Sequence, residues 1–115
     1  MLVVDDEPAI RLLCRVNLEL DGYAVVEAAS VAEARAALAG GPVDVVLLDL
    51  HLGSQHSGVL IAELHGRTPR VPVALVTGST DGVSAARSGA DAVLSKPFAI
   101  EDLAATVRRL VADAR

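Results

Sequence analysis

Residues 43–50 read Val43-Asp44-Val45-Val46-Leu47-Leu48-Asp49-Leu50, an almost continuous apolar run that closes on a carboxylate. A strand wetted on one face alternates apolar and polar residues, whereas a run this uniform suits a strand buried on both faces. Such strands belong to parallel sheets covered by helices on either side. The flanks agree with that reading. Gly40-Gly41-Pro42 stops whatever precedes the run, and His51 to Gly58 is a polar loop containing Gly and Ser.

The same punctuation recurs upstream. Leu2-Val3-Val4 is a short apolar strand cut off by Asp5-Asp6-Glu7-Pro8. Pro8 suits the first turn of a helix, where its missing N–H would go unbonded anyway, and acids just before it favour the positive helix end. Ile10, Leu13, Cys14 and Leu18 predict a helix to about Leu20 with that stripe turned inward, and Asp21-Gly22 ends it. Tyr23 to Val26 reads as a second strand. Ser30 then caps a helix to about Ala39, with Glu33 completing a capping box.

Downstream, a short helix runs to about His65, and Pro69 and Pro72 bracket the turn into a fourth strand, Val73–Val76. Thr77 to Thr80 is a loop, followed by a short helix to about Arg87. A fifth strand spans Ala92–Leu94, and a last helix runs from about Ile100 to Ala112. Strands alternating with helices imply parallel pairing through right-handed crossovers. The expected fold is therefore α/β, a doubly wound five-stranded parallel sheet flanked by five helices. With no repeat or linker legible, residues 1–115 are expected to form one domain.

Composition narrows the function. The 115 residues are 52% hydrophobic with Tyr23 and Phe98 as the only aromatics, so the core is aliphatic. A net charge of −5 argues against a nucleic-acid surface, which needs clustered Lys and Arg. The single cysteine, Cys14, excludes an internal disulfide and suits a small core position. No apolar run approaches the ~20 residues of a membrane span, and no secretory leader is legible. The expectation is a soluble cytoplasmic domain that meets neither membrane nor nucleic acid directly.

In open α/β sheets, chemistry sits in the loops beyond the C-terminal strand ends. Those loops hold Asp5, Asp6 and Glu7 after the first strand and Asp49 after the third. Thr77, Gly78 and Ser79 follow the fourth, and Ser95, Lys96 and Pro97 the fifth. Three converging aspartates raise one another's pKa unless a cation shares the site. A hard divalent ion such as Mg²⁺ resolves the repulsion and takes oxygen ligands. Asp49 is then placed to act as a carboxylate nucleophile on phosphorus, with Thr77 and Lys96 to neutralise the phosphoryl oxygens. Taken singly, each residue has an ordinary explanation as a cap, a turn residue or a surface lysine. Their joint position at the strand ends is what points to chemistry.

These motifs resemble the response-regulator receiver family, from Leu2-Val3-Val4-Asp5-Asp6-Glu7-Pro8 through Leu47-Leu48-Asp49-Leu50 to Lys96-Pro97-Phe98. The resemblance implies a flavodoxin-like, chemotaxis-regulator-like sheet of strand order 2-1-3-4-5. It implies phosphorylation of Asp49 by a histidine kinase or a histidine phosphotransfer protein. Mg²⁺ would be held by Asp6, Asp49 and the backbone carbonyl of His51, and reached by Asp5 through water. Thr77 and Lys96 would bind the phosphoryl group, and Gly78 would be the small residue that keeps the acceptor accessible. His51 and Ser79 stand where the family varies to tune phosphoryl lifetime.

Three departures stand out. Val93 replaces the aromatic expected before the lysine, the stretch from Thr77 to Lys96 is shorter than usual, and the loop after Asp49 is longer, with Leu52-Gly53 in place of a residue followed by proline. The acid–lysine chemistry is expected to survive these changes. The aromatic-coupled switch is not.

The leading expectation is a phosphorylation switch in a two-component system whose only catalysis is its own phosphorylation and dephosphorylation. The alternatives are a phosphorylation-independent interaction module and a phosphohydrolase. Against the hydrolase, His51 stands where such enzymes carry a second aspartate. An output domain, a protein target and a homodimer are all compatible with the residues, as are a lone domain, a relay docked on a kinase or a piece of a longer protein. His51, His56 and His65 match no zinc spacing. Arg108-Arg109 is expected to complement the last helix dipole, and Asn17 near the apolar face of the first helix has no account from sequence.

Overall fold

Leu2 and Val4 face one side of a sheet and Val3 the other, and helices bury both sides. In this computed structural model, which describes residues 1–52, 55–78 and 88–113, the elements run in the expected alternation. The strands are β1 (Leu2–Val4), β2 (Val26–Ala28), β3 (Val46–Asp49), β4 (His51–Leu52), β5 (Gln55–His56), β6 (Val73–Thr77) and β7 (Ala92–Ser95). The helices are α1 (Pro8–Leu20), α2 (Val31–Ala39), α3 (Gly58–His65) and α4 (Ile100–Asp113).

Five strands form one parallel sheet in the order β2-β1-β3-β6-β7. Counted within that sheet, this is the expected 2-1-3-4-5. Four helices are described where five were expected; the expected helix between Thr80 and Arg87 lies outside the described residues.

The sheet separates two cores. Val4, Val46, Leu48 and Leu75 pack with α2 and α3 through Ala34, Leu38, Leu60 and Leu64. Val3, Leu47, Ala74, Val76 and Leu94 pack with α1 and α4 through Cys14, Leu18, Leu103 and Val107. β3 sits at the centre and all four of its residues are buried, which explains why its sequence shows no alternation. Each leucine it buries is worth about 1.5–3 kcal/mol. Among the described residues, no helix is long and apolar enough to cross a membrane.

Several local expectations need correction. The second strand is Val26–Ala28 and not Tyr23–Val26: Tyr23 and Val25 pack against the α1/α4 core, and Val26 opens the ladder by pairing with Leu2. On α1 only Cys14 and Leu18 are buried; Leu13 is 40% exposed, so the inward stripe is narrower than its spacing suggests. Asn17 now has a role, because its side-chain amide donates to the Leu13 carbonyl at 2.8 Å, a bond back along its own helix. At α2, Ser30 Oγ accepts from the Glu33 N–H at 3.1 Å, but the Glu33 carboxylate reaches back to the Ala29 N–H instead of that of Ser30. Arg108 and Arg109 fall short of the last turn of α4, which carries no base. Finally, the loop after Asp49 contains a two-stranded antiparallel ladder, His51↔His56 and Leu52↔Gln55, where only a loop was expected.

Candidate functional site

Strand register assembles the site. Val4 pairs with Leu48, so Asp5 and Asp49 stand one step beyond neighbouring strand partners. Asp49 pairs with Val76, which puts Thr77 one step further on the adjacent strand. Thr77 pairs with Ser95, which places Lys96 at the next strand end, and the Lys96 N–H donates to the Thr77 carbonyl at 2.7 Å. Apart from Val93, the expected site residues that are described lie along this one sheet edge.

The carboxylates of Asp5, Asp6 and Asp49 each offer an oxygen within 4.8 Å of the others. Asp5 and Asp49 are buried and Asp6 is exposed. The Lys96 ammonium lies among the acids, 3.2 Å from Asp5 Oδ2, 3.4 Å from Asp49 Oδ2 and 3.4 Å from Glu7 Oε1. Burial pushes the Asp49 carboxyl up to about 6, and the Asp5 charge adds to the rise; Lys96 and the His51 N–H oppose it. Burial disfavours the Lys96 ammonium, but Asp5 and Asp49 outweigh it and raise its pKa. The field reaches α1. Burial, then Asp5, pushes the Cys14 thiol up to about 11, so it is an unreactive core group.

Backbone bonds hold the acids in place. Asp5 donates its N–H to Ala28 and its Oδ1 accepts the Glu7 N–H at 2.9 Å, which orders the turn into α1. Arg11, one turn into α1, donates to the Asp5 carbonyl at 2.7 Å and pairs with Glu27 on β2. The His51 N–H donates to Asp49 Oδ1 at 3.3 Å. Thr77 is buried, Gly78 follows it half-exposed, and Ser79 lies outside the described residues. Val93 stands apart from this cluster, 44% exposed on β7. His65 joins no histidine group; it bonds Asp91 at the opposite end of the sheet.

Sequence reading placed Glu7 beside the acid pair but gave it no task, and it missed Arg11. The usable signal for Glu7 was a third carboxylate in a loop that faces a lysine. Arg11 could have been found only through its turn spacing from Asp5 and the acid on β2.

Buried carboxylates and a lysine at the C-terminal edge of a doubly wound parallel sheet can receive and neutralise a phosphoryl group. That layout defines a class of phosphoacceptor signalling domains. A family model described as response regulator receiver domain matches residues 1–108, and the chain belongs to that family. It carries a receiver domain of the two-component response regulators. The transcriptional regulatory protein KdpE of Mycobacterium tuberculosis is 38% identical over 113 residues, covering 96% of this chain and 50% of KdpE. The DNA-binding dual master transcriptional regulator RpaA of Synechocystis is 34% identical over 116 residues, covering 96% and 48%. This chain therefore spans about half the length of those relatives. The crystal structure of the receiver domain of NtrX from Brucella abortus superposes with a TM-score of 0.88 at 31% identity, covering 96% of this chain and 97% of that domain.

Proposed function

We propose that Asp49 is the phosphoacceptor, that residues 1–115 act as one receiver domain, and that phosphorylation changes which partners it binds. The observation that carries this reading is the Lys96 ammonium held at 3.2 and 3.4 Å from two buried aspartates at adjacent strand ends. A structural salt bridge needs one acid; this lysine faces three.

The donor set fits Mg²⁺. It is all hard oxygen, three carboxylates converge in it, and the Asp5 charge adds to the burial that raises the Asp49 carboxyl. Asp6, Asp49 and the His51 carbonyl would hold the ion, and Asp5 would support it, as the family resemblance implies. When bound, Mg²⁺ neutralises the acids and the phosphoryl oxygens. The chain supplies the remainder. An Asp49 carboxylate oxygen attacks phosphorus, the P–N bond to the donor histidine breaks, and the imidazole leaves with a proton. Lys96 then pairs with one phosphoryl oxygen while the Thr77 hydroxyl donates to another. Gly78 leaves the approach to Asp49 open.

The donor is a sensor histidine kinase or a histidine phosphotransfer protein, as the family resemblance implies. Because the matched regulators are about twice as long as this chain, an output domain or a separate protein target receives the signal. The only reaction catalysed is the domain's own phosphorylation and its hydrolytic reversal. Intact-mass spectrometry after acetyl phosphate and Mg²⁺ tests the reading. We expect a gain of one phosphate in wild type, lost in Asp49→Ala and lost without Mg²⁺. An unchanged mass with both acetyl phosphate and a histidine-kinase donor would leave a phosphorylation-independent interaction module.

A further inference from the structure

The longer loop after Asp49 has an unusual closure, and it turns on one buried hydroxyl. Ser57 is the N-cap of α3, where a serine ordinarily accepts an N–H from the helix's first turn. Here it makes no such bond. Its side chain is fully buried and faces the other way, with Oγ 2.5 Å from the Asp49 carbonyl oxygen and 3.0 Å from that of Leu50. The Ser57 N–H also donates to the Leu50 carbonyl at 2.9 Å. One residue at the far end of the loop thus grips the main chain of the candidate phosphoacceptor and of its neighbour. This segment is further held by the Leu50 N–H on the Val76 carbonyl, the His51 N–H on the Asp49 carboxylate and the pairing of His51 with His56.

We propose that Ser57 is a positioning residue for the Asp49 site. It gives up its helix cap and uses its hydroxyl to fix the peptide units from Asp49 to His51. Those units carry the proposed nucleophilic carboxylate at one end and, at the other, the His51 carbonyl that would serve the ion. The inference rests on the phosphoacceptor reading above. It also gives the lengthened loop a function: the excursion from Leu50 to Ser57 is tied shut at the residue it must hold still. A hydroxyl has one hydrogen to share between the two carbonyls, so its removal leaves a buried acceptor short of a donor next to the reacting group.

The test uses the intact chain and three variants: Ser57→Ala, Ser57→Cys and, as a control, Ser30→Ala. Ser30 caps α2 through the Glu33 N–H, a bond to its own helix, so its loss is expected to report stability alone. Mg²⁺ affinity is read from amide chemical shifts during a Mg²⁺ titration, and phosphorylation from the acetyl phosphate rate at saturating Mg²⁺. We expect Ser57→Ala to weaken Mg²⁺ binding or slow phosphorylation by about tenfold, the low end for lost outer-sphere support of a metal site. Ser57→Cys, which keeps a hydrogen to donate but on a larger and weaker donor, should fall between Ser57→Ala and wild type. Ser30→Ala should lower the melting temperature while leaving both site readouts at wild-type values. Ser57 variants that match Ser30→Ala in both site readouts would overturn the positioning role and leave the phosphoacceptor reading standing. Wild-type protein that takes neither Mg²⁺ nor phosphate would overturn that reading, and the proposal with it.

Discussion

As the proposed phosphoacceptor, Asp49 would have to be dry enough to protect an acyl phosphate from water and ionised enough to attack phosphorus, and those demands oppose each other. Burial and the Asp5 charge lift its carboxyl from 3.8 to about 6, so the folded protein holds that proton more tightly than the unfolded chain does. The sign follows directly. The stabilisation is fully present below about pH 4 and is lost as pH rises through about 6, so at neutrality the ionised group works against the fold. At 1.36 kcal/mol per unit, the cost is about 2 kcal/mol after allowance for local relaxation. We expect Asp49→Asn, measured in EDTA near neutral pH, to melt higher than wild type by several degrees. The difference should vanish near pH 4. Added Mg²⁺ should raise the wild-type midpoint and leave Asp49→Asn nearly unmoved. A variant that melts at or below wild type in EDTA would show that Asp49 is not held against its own charge. Such a liability at a strand end is what a site for chemistry costs a fold.

Among the elements, the opposite end of the sheet shows the contrary arrangement. Asp91, just before β7, accepts from the Val73 N–H at 2.8 Å, from Arg70 at 2.7 Å and pairs with His65 at 2.9 Å. One carboxylate thereby ties β6, β7 and the end of α3. Burial works against its charge, but these partners prevail and its pKa lies below the ordinary carboxylate value. A depressed carboxyl gives stability that is present above its unfolded pKa, about 3.9, and lost as pH falls through the folded value. Asp91→Ala should cost about 1–3 kcal/mol near neutrality, the range for charged hydrogen-bond partners. In urea unfolding, that gap should be smaller at about pH 3 than at neutrality, because acid begins to remove the same charge from wild type. An equal gap at both pH values would mean that the loss is packing and not charge.

At this scale the limits of sequence reading are plain as well. β3 was legible because a strand buried on both faces has no polar residue to blur it. β2 was misplaced because it is an edge strand paired on one side, where a short apolar run does not reveal register. The β4–β5 ladder went unseen because pairs of two residues carry no periodicity; the Gly53-Ser54 pair between them was the available signal. The acids, Thr77 and Lys96 were legible because strand ends of an α/β sheet confine the search to a few loops. Ser57 was not, because a serine before a helix reads as a cap, and only coordinates show that its hydroxyl points the other way.

Across the whole molecule, the question is how a phosphoryl group at Asp49 is felt at the surface. Two routes leave the site: the Lys96 side chain, and the backbone bond from Lys96 to Thr77 that joins the ends of β6 and β7. The Lys96 ammonium balances Asp5, Glu7 and Asp49 together, so any phosphoryl oxygen that claims it must also release those acids. That exchange gives the two states different contacts, as a switch requires. Val93 is exposed on β7 and has no ring to reorient, so we expect the outward change to run through backbone adjustment along β6, β7 and the adjoining α4. Lys96→Ala should therefore still accept phosphate, more slowly, but confine the response. In amide spectra with Mg²⁺ and a phosphoryl mimic such as beryllofluoride, wild-type shifts should run from Asp49 through Thr77 and Val93 into α4. In Lys96→Ala they should stop at residues around Asp49. Shifts that reach Val93 undiminished in the variant would place the coupling elsewhere, with the Thr77 hydroxyl the group to remove next.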